Sequence, residues 1–235
     1  MNWQAAEIKP RARIIVALDA PTSADALAVV RQLSPHAGLF KIGLQLFVAA
    51  GPGIVRAVRA EGGRVFLDLK LHDIPNTVAR AVESAGSLGA EMLTIHLSGG
   101  RAMIEAALRA AAPETLLLGI TVLTSAEEAT LREIGVDGAM EEQVLRLAAL
   151  GVEAGIGGVV ASPHELTALR AAHRSKIKIV TPGIRPAGSA MGDQKRTMTP
   201  AEALAGGADF LVIGRPITAA PDPRAALEQI VADVV

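Results

Sequence analysis

Short runs rich in Val, Ile and Leu alternate with longer Ala- and Leu-rich stretches along the whole chain. The short runs predict strands at 13–18, 39–42, 64–70, 92–96, 116–121, 158–161, 176–181 and 209–213. The longer stretches predict helices at 23–33, 45–60, 77–88, 101–111, 141–150, 163–172, 199–205 and 223–235. Capping hydroxyls mark several helix starts: Thr22 or Ser23, Ser162 before Pro163, and Thr199 before Pro200. About eight strand–helix units with no linker or composition break predict a single-domain α/β fold. It is a TIM-type (β/α)8 barrel over 13–235, behind an N-terminal extension at 1–12. The alternative, a doubly wound open sheet, would usually carry a Gly-rich first turn. Here the first strand runs instead into Ala17-Leu18-Asp19-Ala20-Pro21. The connection from 183 to 198, rich in Gly, Pro, Ser and charge, is long for a compact domain and predicts a mobile lid.

Composition narrows the partners. Lys plus Arg (23) nearly cancels Asp plus Glu (24), which leaves no electrostatic footprint for nucleic acid or an anionic membrane. With no Tyr, one Trp and four Phe there is no stacking platform for exposed bases. The absence of Cys excludes disulfides, thiolate metal sites and a Cys nucleophile, and suits a reducing compartment. No apolar run approaches the ~20 residues of a membrane helix, and residues 1–13 lack the apolar stretch of a signal peptide. The expectation is a cytoplasmic protein with no membrane or nucleic-acid partner.

TIM barrels carry their sites at the C-terminal ends of the strands. Polar residues cluster there: Asp19 after the first strand, Lys41 on the second, Asp68 and Lys70 on the third, and His96 on the fourth. Thr121 and Thr124 follow the fifth, Arg185 the seventh, and Gly214-Arg215 the eighth. The third strand is the sharpest signal. Alternation turns Val65, Leu67, Leu69 and Leu71 toward the helices, and Phe66, Asp68 and Lys70 into the barrel, with Asp73 just beyond. Charges in a barrel interior are costly unless paired, and the array Lys41, Asp68, Lys70, Asp73 exceeds what one structural ion pair needs. Carboxylates beside a lysine favour its ammonium form. Lys70 therefore suits a proton donor better than a Schiff-base nucleophile. The two lysines would compete with a divalent metal for the carboxylates. The array predicts proton delivery to a carbanion, or stabilisation of one, with no metal and no cofactor.

The loops after strands seven and eight commonly bind phosphate in such barrels. Here they supply Arg185, Gln194, Gly214 and Arg215. Arginine's planar fork suits phosphate oxygens, and glycine lets backbone N–H groups approach. Thr124 is either a contact to a substrate edge or a helix cap. His72 and His96 are read as supporting residues, and His36, His164 and His173 as surface residues.

The residues also carry a resemblance. Ala17-Leu18-Asp19, Phe40-Lys41-Ile42-Gly43 and Phe66-Leu67-Asp68-Leu69-Lys70-Leu71-His72-Asp73-Ile74-Pro75-Asn76-Thr77 resemble the bacterial form of the orotidine 5′-phosphate decarboxylase family. So do Thr181-Pro182-Gly183-Ile184-Arg185-Pro186, Gly192-Asp193-Gln194, Met198-Thr199-Pro200 and Val212-Ile213-Gly214-Arg215-Pro216-Ile217-Thr218. The resemblance implies a homodimeric TIM barrel that converts orotidine monophosphate to uridine monophosphate and CO2 in pyrimidine biosynthesis, without metal or cofactor. It implies Lys70 as proton donor to C6 of the pyrimidine, Asp68 beside the departing carboxylate, and Lys41 completing the charge network. Asp73 and Thr77 would reach the partner subunit's site. Asp19 would bind the ribose, Thr124 the base edge, and Arg185, Gln194, Gly214 and Arg215 the phosphate. Related sugar-phosphate lyases resemble the Asp-x-Lys-x-x-Asp run but use Mg2+ with an acidic residue on strand two, where this chain has Lys41. A non-catalytic nucleotide sensor would keep Arg185 and Arg215 without needing the inward charges.

Overall fold

Eight parallel strands pair in sequence order and close into a barrel. They are β1 (Ile14–Ala17), β2 (Leu39–Gly43), β3 (Val65–Leu71), β4 (Met92–His96), β5 (Leu116–Ile120), β6 (Gly158–Val160), β7 (Lys178–Thr181) and β8 (Phe210–Ile213). The computed structural model describes residues 8–186 and 197–234. Each strand lies within two residues of its sequence-predicted ends. The helices are α1 (Ser23–Leu33), α2 (Leu44–Ala50), α3 (Gly53–Ala60), α4 (Pro75–Ser87), α5 (Gly100–Ala110) and α6 (Glu128–Glu133), followed by α7 (Met140–Ala154), α8 (Leu166–His173), α9 (Pro200–Ala205), α10 (Arg215–Thr218) and α11 (Pro223–Ala232). No described helix is long and apolar enough to cross a membrane.

The predicted helix at 45–60 is two helices, α2 and α3. Gly51, at φ 65°, ends the first, and Pro52, which has no N–H to donate, precedes the second. The predicted helix at 163–172 begins as a 3-10 turn, Pro163–Glu165, held by a capping box between Ser162 and Glu165. The short helices α6 and α10 were not visible as periodic runs, being only six and four residues long.

Strand alternation divides the core in two. One set of side chains faces the helices, including Ile14, Val16, Phe40, Ile42, Val65, Leu67, Leu93 and Ile95. The other fills the barrel: Ile15, Ala17, Leu39, Phe66, Met92, Leu116, Leu118, Val180, Phe210 and Val212. Ile8 packs against this interior set, and the 3-10 turn Pro10–Arg13 leads directly into β1. The described part of the N-terminal segment therefore lies at the N-terminal mouth.

The same mouth carries an ionic fastening. Asp209, just ahead of β8, pairs with Arg170 of α8, stands 3.4 Å from Lys178 Nζ, and accepts a hydrogen bond from the Ile179 N–H at 2.8 Å. Arg170 also donates to the carbonyls of Gly207, Arg174 and Ile177. Asp209→Ala removes the shared acceptor and leaves both cations without it. The expected loss is about 2 kcal/mol, or about 4–8 °C in Tm, with turnover unchanged because the opposite mouth is untouched. Thermal melting alongside an activity assay checks both.

Candidate active site

At the C-terminal mouth the barrel opens into a cavity of about 460 Å3. Ala17, Phe66 and Val212, from the interior set, form its base, and Ile120 and Val160 continue the apolar wall. Above them the lining turns ionic. Leu39 faces inward, so Lys41, two residues on, does too. Its Nζ stands 3.4 Å from Asp19 Oδ1 and 3.9 Å from Asp68 Oδ2. Gly43 leaves that ammonium room, since a Cβ there would stand 3.1 Å from Lys41 Nζ. Lys70 Nζ lies 2.9 Å from both carboxylate oxygens of Asp68. The result is a continuous line of alternating charge, Asp19, Lys41, Asp68, Lys70. Asp68 is its most enclosed anion, with its side chain 13% exposed against 63% for Asp19.

The pairing of the third strand is not regular as far as Lys70. β3 and β4 pair in register at Leu67 and Leu93, and again at Leu71 and Ile95. Asp68, Leu69 and Lys70 therefore stand against Thr94 alone. Lys70 takes up the excess at φ 50°, in the left-handed region, at a cost of about 1–2 kcal/mol for a residue with a Cβ. The bulge folds the Lys70 side chain back onto Asp68. Thr94, fully buried, donates to Asp68 Oδ1 at 3.0 Å and accepts the Lys70 backbone N–H at 2.8 Å.

Past β5, Val122, Leu123 and Thr124 line the cavity. Arg185 and Arg215 line it past β7 and β8, with Gly214 alongside, where a Cβ would stand 3.6 Å from Asp19 Oδ2. Burial first, then the adjacent Arg215 charge, pushes the Arg185 guanidinium down from its ordinary value. Two like charges crowded together favour an anion between them. Ile184 bridges to Met198, and the Arg185 N–H donates to the Met198 carbonyl at 3.0 Å. The two ends of the 183–198 connection are thus joined. Gln194 and residues 187–196 of the expected lid lie outside the described residues. Asp73 and Thr77 are exposed and do not line this cavity; Asp73 Oδ1 accepts the Ile74 N–H at 2.6 Å.

Thr94, Gln45, Ile120 and Val160 contribute to the site without having been singled out in the sequence. Thr94 carried a usable signal: a hydroxyl at the inward position of an otherwise aliphatic strand, between Met92 and His96. Among the described residues, no group of three or more His, Asp or Glu side chains is arranged to hold a metal ion.

His96 is half-buried behind the charges, its ring 5.3 Å from that of His72. Burial pushes its imidazole below the ordinary 6.5; the His72 and Lys70 charges add to this and Asp68 opposes it. The folded chain thus resists a proton that the unfolded chain accepts. The associated stability is complete above the unfolded value and is lost as pH falls below it. Tm should fall between about pH 7 and pH 5, and His96→Gln should flatten that slope. His173 is shifted in the same direction, so part of the slope remains. An unaltered slope in His96→Gln would remove His96 as its source.

The family model described as orotidine 5′-phosphate decarboxylase / HUMPS matches residues 12–230. Orotidine 5′-phosphate decarboxylase of Moorella thermoacetica is 54% identical over 231 residues, covering 94% of this chain and 92% of that protein. Its counterpart in Anaeromyxobacter sp. (strain K) is 53% identical over 225 residues, covering 96% and 99%. The crystal structure of orotidine 5′-phosphate decarboxylase from Lactobacillus acidophilus superposes with a TM-score of 0.84 at 36% identity, covering 94% of this chain and 98% of that one. With its barrel, its line of charges and these likenesses, the chain belongs to the orotidine 5′-phosphate decarboxylase / HUMPS family.

Proposed function

We propose that the chain converts orotidine 5′-monophosphate to uridine 5′-monophosphate and CO2 in pyrimidine biosynthesis, without metal or cofactor. The observation that carries this reading is the Lys41–Asp68–Lys70 chain of charges above the apolar base of the cavity. Relatives more than half identical, all named for this activity, support the substrate. Lys41 and Lys70 stand where a divalent cation on Asp68 would have to stand, which supports metal-free chemistry and argues against the Mg2+-dependent sugar-phosphate reading.

The bond from C6 to the carboxylate breaks heterolytically; CO2 leaves and the electron pair stays on C6. That vinylic carbanion has no adjacent electron sink, so it needs a fixed cation and a proton close by. The Lys70 ammonium supplies both, passing a proton from Nζ to C6 and becoming an amine that solvent reprotonates. Asp68 lies beside the departing carboxylate, a like-charge contact relieved as CO2 forms. Lys41 balances Asp68 and Asp19 throughout. Asp19 holds the ribose and Thr124 the base edge. Arg185 and Arg215, with Gly214 and Gln194, hold the phosphate, a remote grip that fixes the ring over Lys70.

The active unit is a homodimer in which Asp73 and Thr77 complete the partner's centre. Their exposure away from their own cavity supports this. So do Leu44 and Val48 of α2 and Ile74 just past β3, which are 53%, 78% and 67% exposed, large apolar side chains of the kind a partner covers.

Loss of substrate absorbance in EDTA tests the reaction: turnover should persist, and dependence on added Mg2+ would sink the metal-free reading. In the same assay Lys70→Ala should lose about 10²–10⁴-fold in kcat while still binding uridine monophosphate. For the shared centre, inactive Lys70→Ala and Asp73→Ala subunits should regain activity when mixed. Heterodimers that form without recovering would overturn it.

A further inference from the structure

The β3 bulge brings both catalytic candidates of that strand opposite a single residue of β4. In a regular parallel ladder the Lys70 N–H would donate to a backbone carbonyl of the neighbouring strand. It donates instead to the Thr94 hydroxyl, at 2.8 Å. That hydroxyl spends its own proton on Asp68 Oδ1, at 3.0 Å. The side chain is fully buried, so water does not compete for either bond. One oxygen thus ties together the left-handed backbone of Lys70, at φ 50°, and the orientation of the carboxylate that Lys70 Nζ contacts at 2.9 Å.

We infer that Thr94 is a positioning residue for the proton-transfer pair: its hydroxyl holds Asp68 and the Lys70 backbone in the one relative placement that aims the Lys70 ammonium into the cavity. Thr94 itself does not line the cavity and is not assigned a contact with substrate. Two relaxations become available without the hydroxyl. Lys70 can leave the left-handed region, whose strain is no longer offset by a bond to its N–H. The Asp68 carboxylate can turn about its side-chain bonds, carrying the ammonium with it. Either shift moves the donated proton relative to C6 and leaves the remote arginines untouched. The signature is therefore a loss in kcat with little change in nucleotide binding.

The inference rests on the decarboxylase reading, and wild-type turnover decides that reading before any variant is compared. Thr94→Ser and Thr94→Ala both lose the γ-methyl and share its packing loss; only serine keeps the hydroxyl. Thr94→Ala should lower kcat by roughly 10- to 100-fold with uridine monophosphate affinity within about twofold, and Thr94→Ser should restore most of the rate. Thr94→Val, which keeps the branched side chain and loses the hydroxyl, should lower kcat as alanine does; a wild-type rate in Thr94→Val would overturn the inference. A merely structural threonine would lower Tm in both the serine and alanine variants and leave kcat alike in the two, which would overturn the inference. A crystal structure of Thr94→Ala gives a readout independent of turnover. Lys70 out of the left-handed region, or Asp68 turned from Lys70, supports the inference; both unmoved overturns it.

Discussion

A carboxylate withdrawn from water is tolerated only if cations and hydrogen-bond donors replace the solvent it loses, and Asp68 is the group on which this requirement falls most heavily. It is the least exposed anion of the line that enters the cavity. Its partners come from three strands: Lys41 from β2, Lys70 from β3 and Thr94 from β4. The line of charge also sets two limits on what surrounds it. The barrel below must be filled with hydrocarbon, or water would rise from beneath and screen the pair. The cavity above must stay open at the mouth, so that the lysines there face space and not packed hydrocarbon.

The two mouths of the barrel divide the work. At the N-terminal end, Arg170, Asp209 and Lys178 bind helix to strand, and Ile8 packs against the interior side chains. None of these four residues lines the cavity. At the C-terminal end, attractions and repulsions are left partly unresolved. Arg185 and Arg215 crowd each other, and Lys70 sits in a backbone region that side chains avoid.

How much of this was legible in the sequence follows from which forces act locally. Period-two alternation and helix length are local, so all eight strands could be read, and so could the inward face of Lys41 and Asp68. The break at Gly51 and Pro52 was equally local, yet it was masked by apolar residues that continue in helical spacing on both sides. The bulge was not legible, because a register shift is a relation between two strands and leaves no trace in either alone. Thr94 is half legible: its hydroxyl at an inward position shows in the strand's own alternation, but its bonds to Asp68 and Lys70 depend on the pairing. The sequence array groups Asp73 with Lys41, Asp68 and Lys70, whereas Asp73 stands exposed and outside the cavity, because it lies past the end of β3, where alternation no longer sets a side chain's direction.

The size of the bulge carries a consequence for how this strand can vary. Three residues of β3 stand against one of β4, an excess of two, and two is the period of a strand. Parity is therefore preserved across the irregularity, and Leu67, Leu69 and Leu71 all remain with the helix-facing set. Loss or gain of a single residue within 68–70 would reverse that parity, turning aliphatic side chains into the cavity and charges against the helices. Changes of length in this strand are tolerable to the core only in pairs, which makes the spacing of the motif a property of the whole barrel rather than of the charged pair alone.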